Sequence, residues 1–466
     1  MMIRILLSAL VVVLAVCLTV GIAYWRIARR FVPGDAHALD GIIQAPMARD
    51  IVFGNVAVWD GRAGPVRRGV SVVVRDGRVA EIRDAAQPVP AGVTVIDATG
   101  KTLIPGLIDA HVHLMYDSGP DLLTRGAALM DEWLETTRRY PESREPIVRR
   151  GQLKLKAGVT TMRVLGDGYY SLAYRDEVAR WDVVGPRVLT AGLHVSGPKG
   201  YVSGGLAAHL NPAGKAESAV EIERAEDIEP RLNEHLVNVP HQLPDEMIQA
   251  IRERGIYVCP TLSGSSYTVL KFLHDPELLY EDPDLVANVS ARVRKDLYVA
   301  LRVLKLPGVA RVLLRQKDPM RQWELWYQQS LLNTGKLHRA GIRLIFGTDT
   351  PFVFGNFFHS VMNEARALKL AGLSNEAILR AATSDAATAL RINERVGTIE
   401  LGKTADLVLL DGDPLADLEA LGRVDLVMKE GRIVYVKPPF WAGRGQRTEA
   451  LRRGLATRPS IVNSMT

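Results

Sequence analysis

The sequence predicts an α/β protein in which a (β/α) barrel adjoins a smaller β domain assembled from both ends of the body. Short β-like runs occupy residues 51–96 and return at 405–436. Between them, strands alternate with amphipathic helices, a pattern typical of βα units around a parallel sheet or barrel. With 466 residues, 47% of them hydrophobic, the chain is long enough to bury a core of this size.

The composition excludes several other classes of protein. The hydrophobic content and a charged fraction of 24% exclude general disorder. The two cysteines, Cys17 and Cys259, are too few for a disulfide framework or a cysteine zinc site. A formal net charge of +6 is small for this length, so the charge does not support a nucleic-acid partner, and none is predicted.

The N-terminal segment predicts a transmembrane helix that anchors the chain. Residues 5–25 carry no charge, and as a helix they would cover roughly 30 Å, the thickness of the hydrocarbon core of a bilayer. A cleaved signal peptide is the nearer alternative. By charge count, Arg26, Arg29 and Arg30 favour a cytoplasmic body. A short anchor before a large domain is nevertheless often exported, and we predict an extracytoplasmic body on the periplasmic side.

Local composition divides the chain into five parts. Asp76-Gly77 between two β-like runs is a strong hairpin signal, and Glu430-Gly431 forms a similar turn near the other end. We predict a membrane anchor at 1–31, a linker at 32–48, a composite β domain at 49–103 and 396–438, a barrel at 104–395, and a basic tail at 439–466.

Two clusters of polar residues follow predicted barrel strands. In Asp109-Ala110-His111-Val112-His113, the two histidines are two apart, so a strand would direct both imidazoles to one face. Asp349 ends the last strand in Gly347-Thr348-Asp349-Thr350. Catalytic residues of such barrels collect at the carboxyl ends of the strands, which favours a metal site. Taken singly, a core histidine and a helix-capping aspartate remain the alternatives.

The chain resembles the amidohydrolase superfamily, in its imidazolonepropionase and prolidase-like branch. The resemblance rests on five segments in the family's order, which together span most of the body: 105–114, 158–161, 347–350, 381–383 and 397–408. It implies a metal-dependent TIM-like barrel beside a β-sandwich. It also implies hydrolysis of a C–N bond in a small-molecule amide, a cyclic amide or a dipeptide, and it is compatible with a homo-oligomer.

The resemblance also implies roles for individual residues. His111 and His113 would be metal ligands, and Asp349 would bind metal and take the proton from the attacking water. The expected cofactor is a divalent metal ion, most often zinc, which acidifies bound water and polarises the scissile carbonyl. The carboxylate could then transfer the proton to the leaving nitrogen.

The stretch from His194 to Ile256 departs from the family pattern. The family takes further ligands from the fourth, fifth and sixth strands, but three βα units need about 30 residues each, and this stretch is shorter. Residues 221–236 are expected to be helix-like and without strands. His235 and His241 are the remaining candidate ligands, with loop histidines as the alternative.

Two hypotheses follow from this shortened stretch. In the first, the chain is a working hydrolase whose reduced site holds one metal ion, since three protein ligands suffice for a catalytic zinc. In the second, it has lost two βα units and survives as a membrane-anchored, inactive relative that binds a ligand or a partner. The predicted barrel is missing strands under either hypothesis.

Overall fold

The structure is a computed structural model of the 466-residue chain. It describes residues 39–47, 50–89, 92–114, 140–165, 168–190, 194–196, 219–221, 232–234, 236–237, 239, 241–263, 270, 272, 274–281, 286, 291–304, 319–350 and 360–438.

The first layer is one eight-stranded sheet made from both ends of the described chain. Its order is β15-β14-β13-β5-β1-β2-β3, and β4 pairs with β1. The strands are β1 (Ile51–Val58), β2 (Arg67–Arg75), β3 (Arg78–Asp84), β4 (Thr94–Asp97), β5 (Lys101–Pro105), β13 (Leu407–Asp411), β14 (Val424–Lys429) and β15 (Arg432–Val436). β5 and β13 pair antiparallel and join the two ends.

Local sequence explains both the turns and the burial of this sheet. β2 and β3 pair antiparallel across Asp76-Gly77, where both residues have positive φ, 48° and 75°. This conformation matches the twist of a tight hairpin. Along β13, Leu407 and Leu409 pack in the core of the sheet, while Val408 and Leu410 pack in the core shared with the parallel strands. Because successive side chains of a strand point to opposite faces, β13 is buried on both faces.

The second layer is built from parallel strands and helices. The strands are β6 (Leu107–Val112), β7 (Val159–Val164), β8 (Arg187–Thr190), β9 (His194–Ser196), β10 (Ala219–Glu221), β11 (Leu232–Glu234) and β12 (Tyr257–Cys259). The helices are α1 (Tyr140–Lys156), α2 (Gly168–Ala179), α3 (Asp245–Glu253), α4 (Leu278–Glu281), α5 (Ala291–Leu304), α6 (Pro319–Arg339), α7 (Ser360–Leu370), α8 (Asn375–Ala381) and α9 (Ser384–Ala389).

The segment 343–350 joins two groups of parallel strands. β6, β7 and β8 form one sheet, and β11 pairs with β12 in another. Parallel bridges connect Val112 with Thr350 and Val258 with Leu344. The described order is therefore β8-β7-β6, the segment 343–350, β12 and β11, with β9 and β10 as a separate parallel pair.

The predicted fold class needs correction in two respects. First, within the described residues no helix is both long enough and apolar enough to cross a bilayer, and the predicted transmembrane segment, 5–25, lies outside them. We therefore describe a mixed α/β fold without the predicted membrane-spanning helix.

The second correction concerns the stretch 221–236, which was predicted to lack strands. β11 lies within it and β10 ends at its first residue, and they pair in parallel with β12 and β9 respectively. Each of them has only three residues, so neither is long enough to display the alternation that reveals a strand in a sequence. The division of the chain into an anchor, a linker, a composite β domain, a barrel and a basic tail stays a prediction.

Arg187 connects the two layers through a partly buried ion network. From the start of β8, its guanidinium donates to Asp406 Oδ2 at 2.6 Å and to Glu430 Oε1 at 2.9 Å. It also donates to Thr161 Oγ1 on β7 at 2.9 Å. Although burial lowers the pKa of Arg187, the two carboxylates outweigh it and raise the pKa. Arg187 therefore links β7 and β8 with the carboxylates that precede β13 and follow β14.

We predict that Arg187→Met lowers the free energy of unfolding by about 3–5 kcal/mol, because it leaves a buried carboxylate without its partner. Urea denaturation followed by circular dichroism measures the change. Arg68→Ala is the matched control: this exposed arginine pairs with Asp413, and its loss should cost about 1 kcal/mol or less. Equal losses in the two variants would contradict the role of Arg187.

Candidate metal centre

Three side chains predicted as metal ligands lie together where the end of β6 meets the segment 343–350. His111 is on β6, His113 directly follows it, and Asp349 lies in the segment 343–350. Asp349 Oδ1 lies 3.3 Å from His111 Nε2 and 3.2 Å from His113 Nε2. One ligand atom from each residue lies within 4.8 Å of the other two. We call these three residues the ligand triad.

The backbone of the two strands brings the triad together. The carbonyl oxygen of His111 accepts from the N–H groups of both Thr348 and Asp349, at 3.1 and 2.8 Å. The N–H of His113 donates to the carbonyl of Thr350 at 2.8 Å. Asp349 adopts a left-handed conformation with φ of 51°, which is uncommon outside glycine and turns its side chain toward the imidazoles.

Gly347 permits this close approach. A Cβ atom at this position would lie 2.3 Å from Cys259 Sγ and 2.8 Å from His111 Cβ. These separations are well below ordinary van der Waals contact, so any larger residue would displace β12 or His111. The glycine of the Gly-Thr-Asp sequence is therefore required by packing beside the triad.

The tautomer of His113 indicates what the triad can bind. His113 Nδ1 lies 2.6 Å from the carbonyl oxygen of Leu165, and a carbonyl can only accept, so Nδ1 carries the proton. In a neutral imidazole, Nε2 is then an acceptor, and it faces the carboxylate oxygen of Asp349. Two facing acceptors need a cation or a proton between them. The donor set of two imidazoles and one carboxylate fits a divalent transition metal.

Asp349 is ionised at neutral pH despite being almost fully buried. Burial raises the pKa of its carboxyl, but the hydrogen bonds and positive charge that His111 and His113 supply when protonated outweigh burial and hold that pKa well below its usual range. A buried, ionised carboxylate can contribute both charge and a proton-accepting oxygen to the site.

A buried ion pair that the sequence analysis missed lies close to the triad. Lys154 on α1 donates to Asp109 Oδ2 at 2.7 Å, and both side chains are fully buried. Burial lowers the pKa of Lys154, and the charge of Asp109 opposes that shift. Asp109 belongs to the His-x-His motif, but no pattern in the sequence marks its partner, because 45 positions separate the two residues.

A second missed residue, Glu364 on α7, holds the turn that follows β12. Its Oε2 accepts from the N–H of Ser263 at 2.6 Å, and Ser263 Oγ donates to the carbonyl of Thr348 at 3.0 Å. The buried Thr261 in this turn has a φ of 52°, which is strained for a β-branched residue. Burial raises the pKa of Glu364 to about 8.

The two remaining candidate ligands are not part of the described triad. His241 is exposed, and its carbonyl oxygen accepts from Asn333 Nδ2 at 3.0 Å. His235 lies outside the described residues, although it directly follows β11 in the chain. The structure therefore brings together His111, His113 and Asp349 among the predicted ligands.

The pKa of Glu364 predicts a pH dependence of stability. Between pH 4.5 and about 8, the folded protein retains a proton that the unfolded chain releases, so the free energy of unfolding falls as pH rises. Glu364→Gln should reduce this fall by on the order of 1 kcal/mol or more. Urea denaturation at a series of pH values measures the slope.

Glu400 is the matched control for this experiment. Hydrogen bonds from Thr398 and Arg62 lower its pKa to about 2, so its titration affects stability only below pH 4.5. Glu400→Gln should therefore leave the slope above pH 5 unchanged. If Glu364→Gln and the native protein gave the same slope, the assigned pKa of Glu364 would be wrong.

Comparisons with known proteins identify the family. The sequence profile of the amidohydrolase family matches residues 102–271 and 328–434, which is more than half of the chain. An imidazolonepropionase from Geobacillus sp. (strain WCH70) is 27% identical over 401 residues, covering 78% of this chain and 89% of the relative. A 5-methylthioadenosine/S-adenosylhomocysteine deaminase from Thermococcus kodakarensis is 24% identical, covering 69% and 76%.

Solved structures agree on the fold. A prolidase complexed with N-methylphosphonate-L-proline has a TM-score of 0.60 and 19% identity, covering 83% of this chain and all of that one. Molinate hydrolase has a TM-score of 0.58 and 18% identity, covering 90% and 99%. The resemblance predicted from the sequence is confirmed. The chain belongs to the amidohydrolase family and is a hydrolase that acts on carbon–nitrogen bonds.

Proposed function

We propose that the protein hydrolyses the C–N bond of a small-molecule amide, a cyclic amide or a dipeptide, with one zinc ion held by the ligand triad. The observation that carries this proposal is the convergence of three ligand atoms, one from each residue of the triad, together with the hydrogen bond that fixes the tautomer of His113. The relatives support the substrate range, because they include proteins named imidazolonepropionase and Xaa-Pro dipeptidase.

The donor chemistry of the triad favours zinc. Zinc binds imidazole nitrogens and carboxylate oxygens, and catalytic sites commonly use three protein ligands. A divalent ion there would acidify water and polarise the carbonyl of the substrate. His235 is a further candidate ligand because of its place in the chain. It directly follows Glu234 at the end of β11, and Glu234 is the Cα partner of Cys259 on β12. Cys259 in turn lies beside Gly347 of the segment that carries Asp349.

Asp349 is the residue that we assign to proton transfer. Its ionised carboxylate can accept a proton from water as the water oxygen attacks the carbonyl carbon. The same carboxyl group can then donate the proton to the leaving nitrogen as the C–N bond breaks. The products are a carboxylic acid and an amine, so the atoms balance without any other reactant.

His111 and His113 are the other two ligands that we assign to the metal ion. The hydrogen bond from His113 Nδ1 to the carbonyl of Leu165 fixes the direction of one ring, which is how ligating histidines are usually oriented.

The comparisons provide no support for the hypothesis of an inactive binding relative. The homo-oligomer and the extracytoplasmic position of the body stay predictions.

The test combines metal removal with substitution of the triad. Chelation should abolish hydrolysis of a panel of dipeptides and cyclic amides, and added zinc should restore it. His111→Ala and Asp349→Asn should each lower kcat/KM by about 1,000-fold or more, because each removes a ligand and Asp349→Asn also removes the proton acceptor. Elemental analysis of the purified protein measures metal content in parallel.

His241→Ala is the matched control, because His241 is exposed and is not part of the triad. The kcat/KM of this variant should stay within about twofold of the native value. Full activity after exhaustive chelation would contradict the metal-dependent mechanism. Native activity in Asp349→Asn would remove the assignment of Asp349. If the protein as purified contained no metal, and added zinc produced no activity toward any substrate in the panel, the hypothesis of an inactive relative would be favoured.

A further inference from the structure

We propose that Lys154 is a positioning residue that aligns Asp349 with His111 and His113 through one buried ammonium group. The inference rests on the proposed function, because the alignment matters for a metal bound by the triad. Lys154 lies near the end of α1, outside the strands that carry the triad, and its side chain is completely buried.

The contacts of the ammonium group account for all three of its protons. Lys154 Nζ lies 2.7 Å from Asp109 Oδ2, 2.8 Å from Ser360 Oγ and 2.9 Å from Thr348 Oγ1. Thr350 Oγ1 is more distant, at 3.4 Å. Three close acceptors match the three donors of a charged lysine. The group therefore joins β6, the segment 343–350 and the first residue of α7.

The direction of each hydrogen bond in this cluster is determined. Thr350 Oγ1 donates to Thr348 Oγ1 at 2.6 Å, and Thr348 Oγ1 donates its single proton to Asp109 Oδ2 at 2.7 Å. Thr348 Oγ1 can then only accept from Lys154. The cluster is therefore ordered by charge, with the ammonium as donor and the carboxylate as final acceptor.

Both segments that carry the ligand triad are held by this cluster. Asp109 precedes His111 by two residues in β6, and its Oδ1 accepts from the N–H of His111 at 3.4 Å. Asp109 Oδ1 accepts from the N–H of Thr348 at 2.9 Å, and Thr348 directly precedes Asp349. The left-handed conformation of Asp349 thus depends on a neighbour whose backbone and hydroxyl are both bound to Asp109. Loss of Lys154 would leave Asp109 as an unpaired buried charge.

Lys429 allows positioning to be separated from simple structural support. It is also a buried lysine, but it lies on β14, where its Nζ is 4.1 Å from the centre of the Trp181 ring and 3.8 Å from Glu430. Lys429→Met should therefore lower the free energy of unfolding without moving the ligand triad. Lys154→Met should lower stability and also change the triad.

The experiment measures metal affinity and metal geometry in the full chain. Metal-free native protein, Lys154→Met and Lys429→Met are titrated with Zn²⁺ against a competing chelator, and the visible spectrum is recorded with Co²⁺. We expect Lys154→Met to weaken zinc binding by about 10- to 100-fold and to alter the Co²⁺ spectrum. Lys429→Met should remain within about twofold of the native affinity, with the native spectrum. If Lys154→Met does not fold, the charge-neutral Asp109→Asn/Lys154→Met replaces it.

The outcomes separate this inference from the proposed function. Native zinc affinity in the Lys154 variant, or equal weakening in the Lys429 variant, overturns the positioning role and leaves the metal site standing. If the native protein binds neither Zn²⁺ nor Co²⁺, the proposed metal site fails. Crystal structures of the variants then decide the positioning role: displacement of Asp349 from the imidazoles only in the Lys154 variant supports it, and an unmoved triad overturns it.

Discussion

The candidate site depends on the contact between the end of β6 and the segment 343–350. A single carbonyl oxygen, that of His111, accepts from two successive N–H groups, and this places Asp349 Oδ1 within 3.3 Å of both imidazoles. Acceptor atoms repel one another unless a cation lies between them, so the side chains alone would not select this arrangement. The backbone hydrogen bonds and the buried Asp109 provide the opposing force. A strained Asp349 can persist because these bonds and the glycine before it fix its surroundings.

The same contact explains why buried polar residues accumulate beneath the triad. Asp109, Lys154 and Ser263 bind Thr348, which precedes Asp349, and Glu364 binds Ser263; the exposed fractions of these four residues are at most 1%. A buried polar network destabilises the fold when some of its groups lack hydrogen-bond partners, and it makes the structure rigid when all of them have partners. Here it joins α1, α7 and the turn after β12 to Thr348, so helices on the outside of the parallel strands restrict the position of the carboxylate.

Strand periodicity was enough to predict His111 and His113 as neighbours, and the Gly-Thr-Asp sequence was enough to place Asp349 at a strand end. The supporting residues could not be predicted in this way. Lys154 meets Ser360 across 206 positions, and Glu364 meets Ser263 across 101, so no local pattern records either contact. β10 and β11 were not predicted, because three residues are too few to show the alternation that marks a strand. The hairpins at Asp76-Gly77 and Glu430-Gly431 were predictable because their turn chemistry is local.

The shortened stretch between His194 and Ile256 need not remove the proposed activity, since the triad lies outside it. All three ligands come from the end of β6 and the segment 343–350, and the hydrogen bonds that align them involve these two segments, α1 and α7. A one-metal site built on this contact requires correct geometry only between those elements. The short β11 still pairs with β12, whose Cys259 packs on Gly347. Through this pairing, β11 supports the site from the side.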